Sequence, residues 1–114
     1  MTDSGCLFCQ IAAGEVPATI VHETARTVAF RDIAPVAPTH VLVIPRDHWS
    51  DMGELATRDP GYAGDLMAAA VAVAAQEGLT GGYRLVTNTG PDGGQSVAHA
   101  HVHVLGGRAL GRLG

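Results

Sequence analysis

The chain of 114 residues is long enough for one domain with a modest core, and its 46% hydrophobic and 16% charged residues are typical of a globular protein. The formal net charge of −4 argues against a general nucleic-acid binder, and because all seven cationic residues are arginines, Schiff-base catalysis and a P-loop lysine are excluded. No apolar run is long enough to cross a bilayer, and the polar start Met1–Ser4 does not resemble a signal peptide, so we expect a cytoplasmic protein without a membrane partner.

The only two cysteines, Cys6 and Cys9, form a Cys-x-x-Cys pair close to the start of the chain. A redox pair is expected after a strand and before a helix, and no strand pattern precedes these residues. A zinc site needs two more ligands, for which His48 and one histidine of the segment 99–103 are candidates. Two small thiols without a function are the third alternative.

The first half of the chain predicts a short helix and three strands. The helix is predicted at Leu7 to Ala13, and Gly14 ends it. Strands are predicted near Thr19–His22 and at Thr27–Arg31. The continuous apolar run Val41–Ile44 lies between two prolines, and it predicts a central strand buried on both faces.

The longest predicted element is a helix from Pro60 to about Glu77, with Asp59 as its N-cap and Gly78 as its end. Residues 47–58 before it are predicted to form a loop with a partial turn. The apolar stripe expected to pack on the sheet consists of Leu66, Met67, Ala70, Val71, Val73 and Ala74.

A further strand, Tyr83–Thr87, leads to Asn88, the only asparagine of the chain. Asn88 is either a turn residue or an amide that bonds a phosphate or ribose oxygen. The loop Gly90–Gly94 follows, and its bare backbone amides can face an anion.

Histidines occupy every second position from 99 to 103, with small apolar residues at positions 100, 102 and 104. This alternation predicts a half-buried strand whose apolar residues face the core. The three imidazoles then share the other face, with neighbouring ones about 7 Å apart. The row can be a solvated face, a zinc site that uses a third ligand, or a nucleophilic imidazole with its proton donors. The last of these suits attack at phosphorus.

Asn-Thr-Gly at 88–90, Gly-Gln-Ser-Val at 94–97 and His-Ala-His-Val-His-Val-Leu at 99–105 together resemble the signature of the histidine triad family. More narrowly, they resemble its Hint-like branch, the nucleoside phosphoramidate hydrolases. Phe30–Pro35 and Ala37–Pro45 match the same branch in order and spacing, so the resemblance covers nearly the whole chain.

The predicted elements and the resemblance together imply one α+β domain with the histidine triad fold. We expect an antiparallel sheet of about five strands, one long and one short helix, and a homodimer that joins two such sheets. Arg31 stands where the Hint-like pattern often has histidine. The Trp-containing tail that usually reaches across the dimer in this branch is absent from the sequence.

The activity that the resemblance implies is hydrolysis of a purine nucleoside 5′-phosphoramidate through a nucleotidyl-histidine intermediate. His101 would attack the α-phosphorus, with its Nδ1–H donated to the backbone carbonyl of His99. His40 would orient His101 or relay a proton. Ser96 would hydrogen-bond the leaving nitrogen, while His103 and the amides of the 93–96 loop would hold phosphate oxygens.

The resemblance also implies residues that bind the nucleotide and a metal. Leu7, Phe8 and Ile11 would line the base pocket, Asp32 would accept both ribose hydroxyls, and Asn88, Gly94, Gln95, Ser96 and His103 would lie near the phosphate. A structural zinc ion would be held by Cys6, Cys9, His48 and His99, and catalysis itself would need no cofactor.

Two other functions stay open. One is dinucleoside polyphosphate hydrolysis or nucleotidyl transfer on the same fold, against which Leu105-Gly106-Gly107 argues because those relatives usually have Leu-Pro after the triad or lack its third histidine. The other is a nucleotide-binding scaffold with little turnover, which an intact triad and Ser96 disfavour.

Overall fold

The computed structural model describes residues 5–112, in which five strands form a single antiparallel sheet with three helices. The elements are α1 Leu7–Ala12, β1 Ile20–Glu23, β2 Thr27–Arg31, β3 Thr39–Pro45, α2 Met52–Arg58, α3 Pro60–Gln76, β4 Tyr83–Val86 and β5 Val102–Gly106. The strand order is β1-β2-β3-β5-β4, and every neighbouring pair is antiparallel. The predicted α+β architecture is confirmed. In this part of the chain, no helix combines the length and apolar character needed to span a bilayer.

The central strand β3 is buried along its whole length because each face of the sheet has its own core. Val41 and Val43 face α3 in one core, while Leu42 and Ile44 belong to the other core together with Phe8 of α1. The prediction of a strand buried on both faces is confirmed. Since side chains alternate along a strand, residues of β3 and β5 that avoid the α3 core point towards α1.

The helix α3 has the predicted bounds, but part of its predicted packing stripe is wrong. Asp59 caps it by accepting from the Tyr62 amide. Met67 and Val71 are 41% and 47% exposed. Buried positions three and four residues apart define the inner face of a helix, and positions 67 and 71 are each one residue, about 100°, beyond it. The buried residues of α3 are Tyr62, Leu66, Ala69, Ala70, Val73 and Ala74.

The prediction of a loop over residues 47–58 is wrong for its second half, which forms α2. Asp51 accepts the Glu54 amide at 2.8 Å, and the Glu54 carboxylate accepts the Ser50 amide at 2.8 Å. These reciprocal bonds satisfy the first turn of a helix that contains Gly53 and a β-branched threonine. The low helix propensity of these residues concealed α2 in the sequence, although its capping residues and the buried Leu55 stabilise it.

The strand that carries the histidines begins only at Val102, so it is shorter than expected. The chain bends before it, where the His99 amide donates to the Val97 carbonyl at 2.8 Å. The two faces nevertheless alternate as predicted, because Ala100, Val102 and Val104 all belong to the α3 core. The histidines at 99, 101 and 103 therefore lie on the α1 side.

Candidate functional site

A cavity of about 270 Å³ opens on the α1 side of the sheet. Seven of the predicted site residues line it, namely Leu7, Phe8, Ile11, Asp32, Ser96, His101 and His103. Its apolar wall also includes Phe30, Ile33, Leu42 and Val97, which the sequence analysis did not single out. Phe30, Leu42 and Val97 are ordinary apolar residues of a strand or loop. The alternation of β2 and β3 pointed to the face of Phe30 and Leu42 only. Ile33 is fully exposed at the rim.

The central imidazole of the histidine row is buried among protein atoms but borders this cavity. His101 is 4% exposed, and its Nδ1 lies 2.7 Å from the carbonyl oxygen of His99. A carbonyl only accepts, so Nδ1 donates, and Nε2 of the neutral ring carries the lone pair. This confirms the hydrogen bond predicted from the sequence. The edge of the Phe8 ring packs against His101, with centroids 5.2 Å apart.

A chain of hydrogen bonds fixes the tautomers of His40 and His103. The Val36 amide donates to His40 Nδ1 at 3.2 Å, so the proton of neutral His40 is on Nε2. That Nε2 lies 2.9 Å from His103 Nδ1 and 3.4 Å from the Asp32 carboxylate. His40 therefore donates to His103 Nδ1, which leaves the proton of His103 on its own Nε2. His101 therefore offers a lone pair on Nε2, and His103 offers an N–H at Nε2.

Burial keeps the His103 ring neutral. It lowers the pKa of His103 to about 4, and the neighbouring His101 and His40 add to the shift while Asp32 opposes it. Near pH 7 the His103 ring is consequently a neutral hydrogen-bond donor rather than a cation.

Asp32, His40 and His103 also bring three potential ligand atoms within 4.8 Å of one another. A metal ion on His40 Nε2 would require that ring to lose its proton there while Nδ1 accepts from the Val36 amide. Metal-bound imidazoles normally donate through their second nitrogen, so this donor set does not suit a metal. The three groups act as a hydrogen-bond chain.

The carboxylate of Asp32 lies at the end of β2, where it borders the cavity. One of its oxygens accepts the Ala34 amide at 2.8 Å, while the other faces His40. Arg31, the residue before it, pairs with Glu77 at the end of α3 through two bonds of 2.8 and 3.1 Å. The guanidinium that replaces the usual histidine is thus engaged in an ion pair.

Asn88 and Gln95 brace the glycine-rich loop from inside. The Asn88 amide donates to the Gly93 carbonyl at 2.7 Å, and Gln95 Oε1 accepts the Gly90 amide at 2.9 Å. Gln95 also donates to the carbonyls of Ser50 and Val97. In this structure both side chains therefore shape the loop that the sequence analysis placed at the phosphate.

The backbone amides of the same loop are largely used within it. The amides of Gly93 and Gln95 donate to the Gly90 carbonyl, and that of Gly94 donates to the Pro91 carbonyl. Three of the four amides predicted to hold phosphate oxygens are thus engaged, and the fourth belongs to Ser96. Gly93 is required by space, because a Cβ there would lie 2.5 Å from the Thr89 carbonyl oxygen.

The four predicted metal ligands converge at the N-terminal end of α1, where Cys6 is the N-cap and Cys9 follows in the first turn. Ligand atoms of Cys6, Cys9, His48 and His99 all lie within 4.8 Å of one another. His99 Nδ1 is 3.3 Å from Cys6 Sγ and 3.5 Å from Cys9 Sγ, and His48 Nδ1 is 3.4 Å from Cys9 Sγ. Tetrahedral zinc with ordinary bond lengths separates sulfur and nitrogen ligands by about 3.5 Å.

The protonation of His99 also suits a metal ligand. Its Nε2 lies 2.9 Å from the Pro45 carbonyl and must donate, so Nδ1 keeps its lone pair towards the two thiols. Burial is the main cause that lowers the pKa of His99 to about 4. The spacing, donor types and tautomer of this cluster all fit metal binding.

Comparison with known proteins places the chain in a family. The model of the HIT domain family matches residues 13–110. An uncharacterized HIT-like protein of Synechococcus elongatus is 50% identical over 104 residues, which cover 91% of each chain. The 14 kDa zinc-binding protein of Zea mays is 46% identical, covering 96% of this chain and 88% of the maize protein. Adenylylsulfatase HINT1 of Arabidopsis thaliana is 44% identical, covering 96% and 76%.

Solved structures agree in fold. A HIT family hydrolase from Clostridium thermocellum superposes with a TM-score of 0.93 at 42% identity, covering 98% of each chain. A histidine triad protein from Clostridium difficile gives a TM-score of 0.95 at 36% identity over the full length of both. Because the family model spans most of the chain and the relatives match along nearly all of it, this protein belongs to the HIT domain family, on its Hint-like branch.

Proposed function

We propose that the protein hydrolyses purine nucleoside 5′-phosphoramidates to the nucleoside monophosphate and an amine. The coarser assignment, a HIT family hydrolase, is supported by the names of the Clostridium thermocellum protein and of Arabidopsis adenylylsulfatase HINT1. The observation that carries the finer proposal is the bond from His101 Nδ1 to the His99 carbonyl at 2.7 Å. It leaves Nε2 of a neutral imidazole as the available nucleophile beside the cavity.

In the proposed first step, the lone pair of His101 Nε2 forms a bond to the α-phosphorus, and the phosphorus–nitrogen bond to the leaving group breaks. The leaving nitrogen takes up a proton from solvent while the Ser96 hydroxyl hydrogen-bonds it. His103 donates Nε2–H to a phosphate oxygen. Water then attacks the phosphorus and loses a proton to solvent, the bond to Nε2 breaks, and the monophosphate is released with His101 restored.

The cavity supports the proposed nucleoside specificity. An apolar slot formed by Leu7, Phe8, Ile11 and Phe30 suits a flat base, because it offers aromatic edges and no charge. Asp32 lies at its rim, where a carboxylate can accept ribose hydroxyls. The nucleotide phosphate then reaches the histidines. No cofactor is required for these steps.

The proposal is tested by AMP release from three substrates: an adenosine 5′-phosphoramidate, adenylyl sulfate and a diadenosine polyphosphate. We expect the phosphoramidate to be hydrolysed with the highest kcat/KM. His101→Asn should lower kcat by at least about 10³-fold because the nucleophile is lost. His22→Asn is the matched control, since His22 lies in β1 outside the cavity. Unchanged turnover by His101→Asn contradicts the proposal, as does release from the diadenosine compound alone.

We also propose that Cys6, Cys9, His48 and His99 hold a structural zinc ion. The maize relative is named as a zinc-binding protein, and the four ligand atoms have the required spacing. When bound, zinc would tie the first turn of α1 to the segment that carries the histidines. Its role would be structural rather than catalytic, because four protein ligands leave no open coordination position for water or substrate.

A homodimer is the assembly that the exposed surfaces favour. Among the described strands, the edge strand β4 pairs with β5 alone, so its other edge has no strand beside it. On the opposite edge strand, β1, the Val21 carbonyl accepts a hydrogen bond from Gln76. Met67 and Val71 add exposed apolar surface on α3. Sedimentation equilibrium should give twice the chain mass of 11.7 kDa, and Tyr83→Pro in β4 should shift the protein towards monomer. A wild-type protein that sediments as a monomer at high concentration would contradict the dimer.

A further inference from the structure

The loop of residues 33–38 is exposed, yet it sets the protonation of a buried ring. Ile33 is 100% exposed and Val36 is 66% exposed. His40 is 7% exposed, and its Nδ1 accepts the Val36 amide at 3.2 Å. Because apolar burial contributes little to this loop, other contacts must hold the Val36 amide in place.

The segment after β5 supplies those contacts. Arg108 donates to the Val36 carbonyl at 3.1 Å, while its other terminal nitrogen donates to the Ala109 carbonyl at 3.0 Å. Gly107 lies against Pro38 so closely that a Cβ on it would be 2.8 Å from the Pro38 Cβ, and its φ is +95°. Thr39 pairs with Gly106 in the sheet, so these contacts continue the β3–β5 pairing beyond its last residue.

We propose that Arg108 is a positioning residue for His40 and His103. By binding the Val36 carbonyl, its guanidinium holds the same residue's N–H against His40 Nδ1. This keeps the His40 proton on Nε2, from which it is donated to His103. The catalytic consequence rests on the proposed function, whereas the tautomer does not.

Loss of this contact has a defined chemical result. The two tautomers of a neutral imidazole interchange readily, so His40 without its amide donor can carry the proton on Nδ1. Its Nε2 would then accept rather than donate, and His103 would lose the donor that leaves its own proton on Nε2. His103 could no longer reliably present an N–H to a phosphate oxygen.

The test uses full-length protein labelled with ¹⁵N-histidine, and NMR of the ring nitrogens distinguishes the two tautomers of His40 and His103. We expect wild type to show Nε2–H on both rings. Arg108→Ala should populate the Nδ1–H form of His40 and lower kcat about tenfold, a fraction of what positioned proton donors contribute. Arg108→Lys should restore part of the Nε2–H population of His40 and part of kcat, because an ammonium can also donate to the Val36 carbonyl. Arg112→Ala removes another exposed arginine of the same segment, and it should leave the His40 tautomer and kcat unchanged.

Wild-type ring signals in Arg108→Ala would overturn the proposal, whether or not its melting temperature or kcat falls. Ring signals that change in Arg112→Ala as well would also overturn it, since the effect would then be one of charge. Failure of the proposed function is a separate result: the wild type would release no AMP, while its ring signals would still report whether Arg108 sets the tautomer.

Discussion

His99 and His101 lie two residues apart on the same face of the chain, but they carry their protons on opposite nitrogens. His99 donates through Nε2 to the Pro45 carbonyl at 2.9 Å, and its Nδ1 faces the cysteines. His101 donates through Nδ1 to the His99 carbonyl at 2.7 Å, and its Nε2 is left unprotonated. The role of each ring is thus set by the carbonyl that accepts from its other nitrogen, not by the residue type.

Residues of one short helix, α1, contact both rings. Cys9 of α1 approaches His99, and the Phe8 ring packs with its centroid 5.9 Å from His99 and 5.2 Å from His101. His99 is fully buried, whereas His101 lines the cavity. We infer that the first ring stabilises the fold and that the second performs the chemistry, although one hydrogen bond connects them.

Removing each ring in turn tests whether the two histidines have different roles. His101→Ala should lower kcat by at least about 10³-fold while the protein remains folded. His99→Ala should lower the free energy of unfolding by about 3 kcal/mol, because it removes a ligand of the proposed zinc site and leaves the Pro45 carbonyl without its donor. Urea unfolding and single-turnover assays, normalised to folded protein, measure the two effects.

A chelator gives the control for this pair of variants. It should lower the melting temperature of wild type and of His101→Ala, and it should have little effect on His99→Ala. If both variants lost activity and stability to the same extent, the division into a structural and a reactive histidine would be wrong.

The sequence alone predicted the parts of this site that depend on local pattern. Alternation placed the three histidines on one face, and the need of a Cys-x-x-Cys zinc site for two more ligands made His48 and one histidine of the segment 99–103 candidates. The bond from His101 to the His99 carbonyl and the complete set of four metal ligands were predicted with the help of the resemblance to the histidine triad family. The shared face of the histidines needed only the strand period, whereas the roles of single rings needed the resemblance as well.

The parts that sequence did not predict depend on backbone atoms and distant segments. No residue pattern indicates that the Val36 amide meets His40, or that Arg108 reaches the Val36 carbonyl across the sheet. Three of the four loop amides expected at the phosphate donate to carbonyls within the loop, which Asn88 and Gln95 hold in a tight turn. The low helix propensity of its residues also concealed α2, whose capping bonds outweigh the cost of Gly53 within the helix.

The third histidine, His103, makes the stability of the fold depend on pH. The folded protein holds the pKa of His103 at about 4, mainly through burial, whereas an unfolded histidine titrates near 6.5. The unfolded state therefore binds more protons between these values, so the free energy of unfolding falls as the pH falls from about 6.5 towards 4. We expect His103 to account for about 1–2 kcal/mol of this loss by pH 5.

Urea unfolding of wild type and His103→Gln at pH 7 and pH 5 isolates that contribution. Any acid release of metal from the Cys-His cluster is common to both proteins, so it cancels in the difference between their pH dependences. The variant should lose less stability on acidification than wild type does. Equal losses would mean that the His103 ring titrates alike in both states, and that its neutral, donating form owes nothing to burial beside His40.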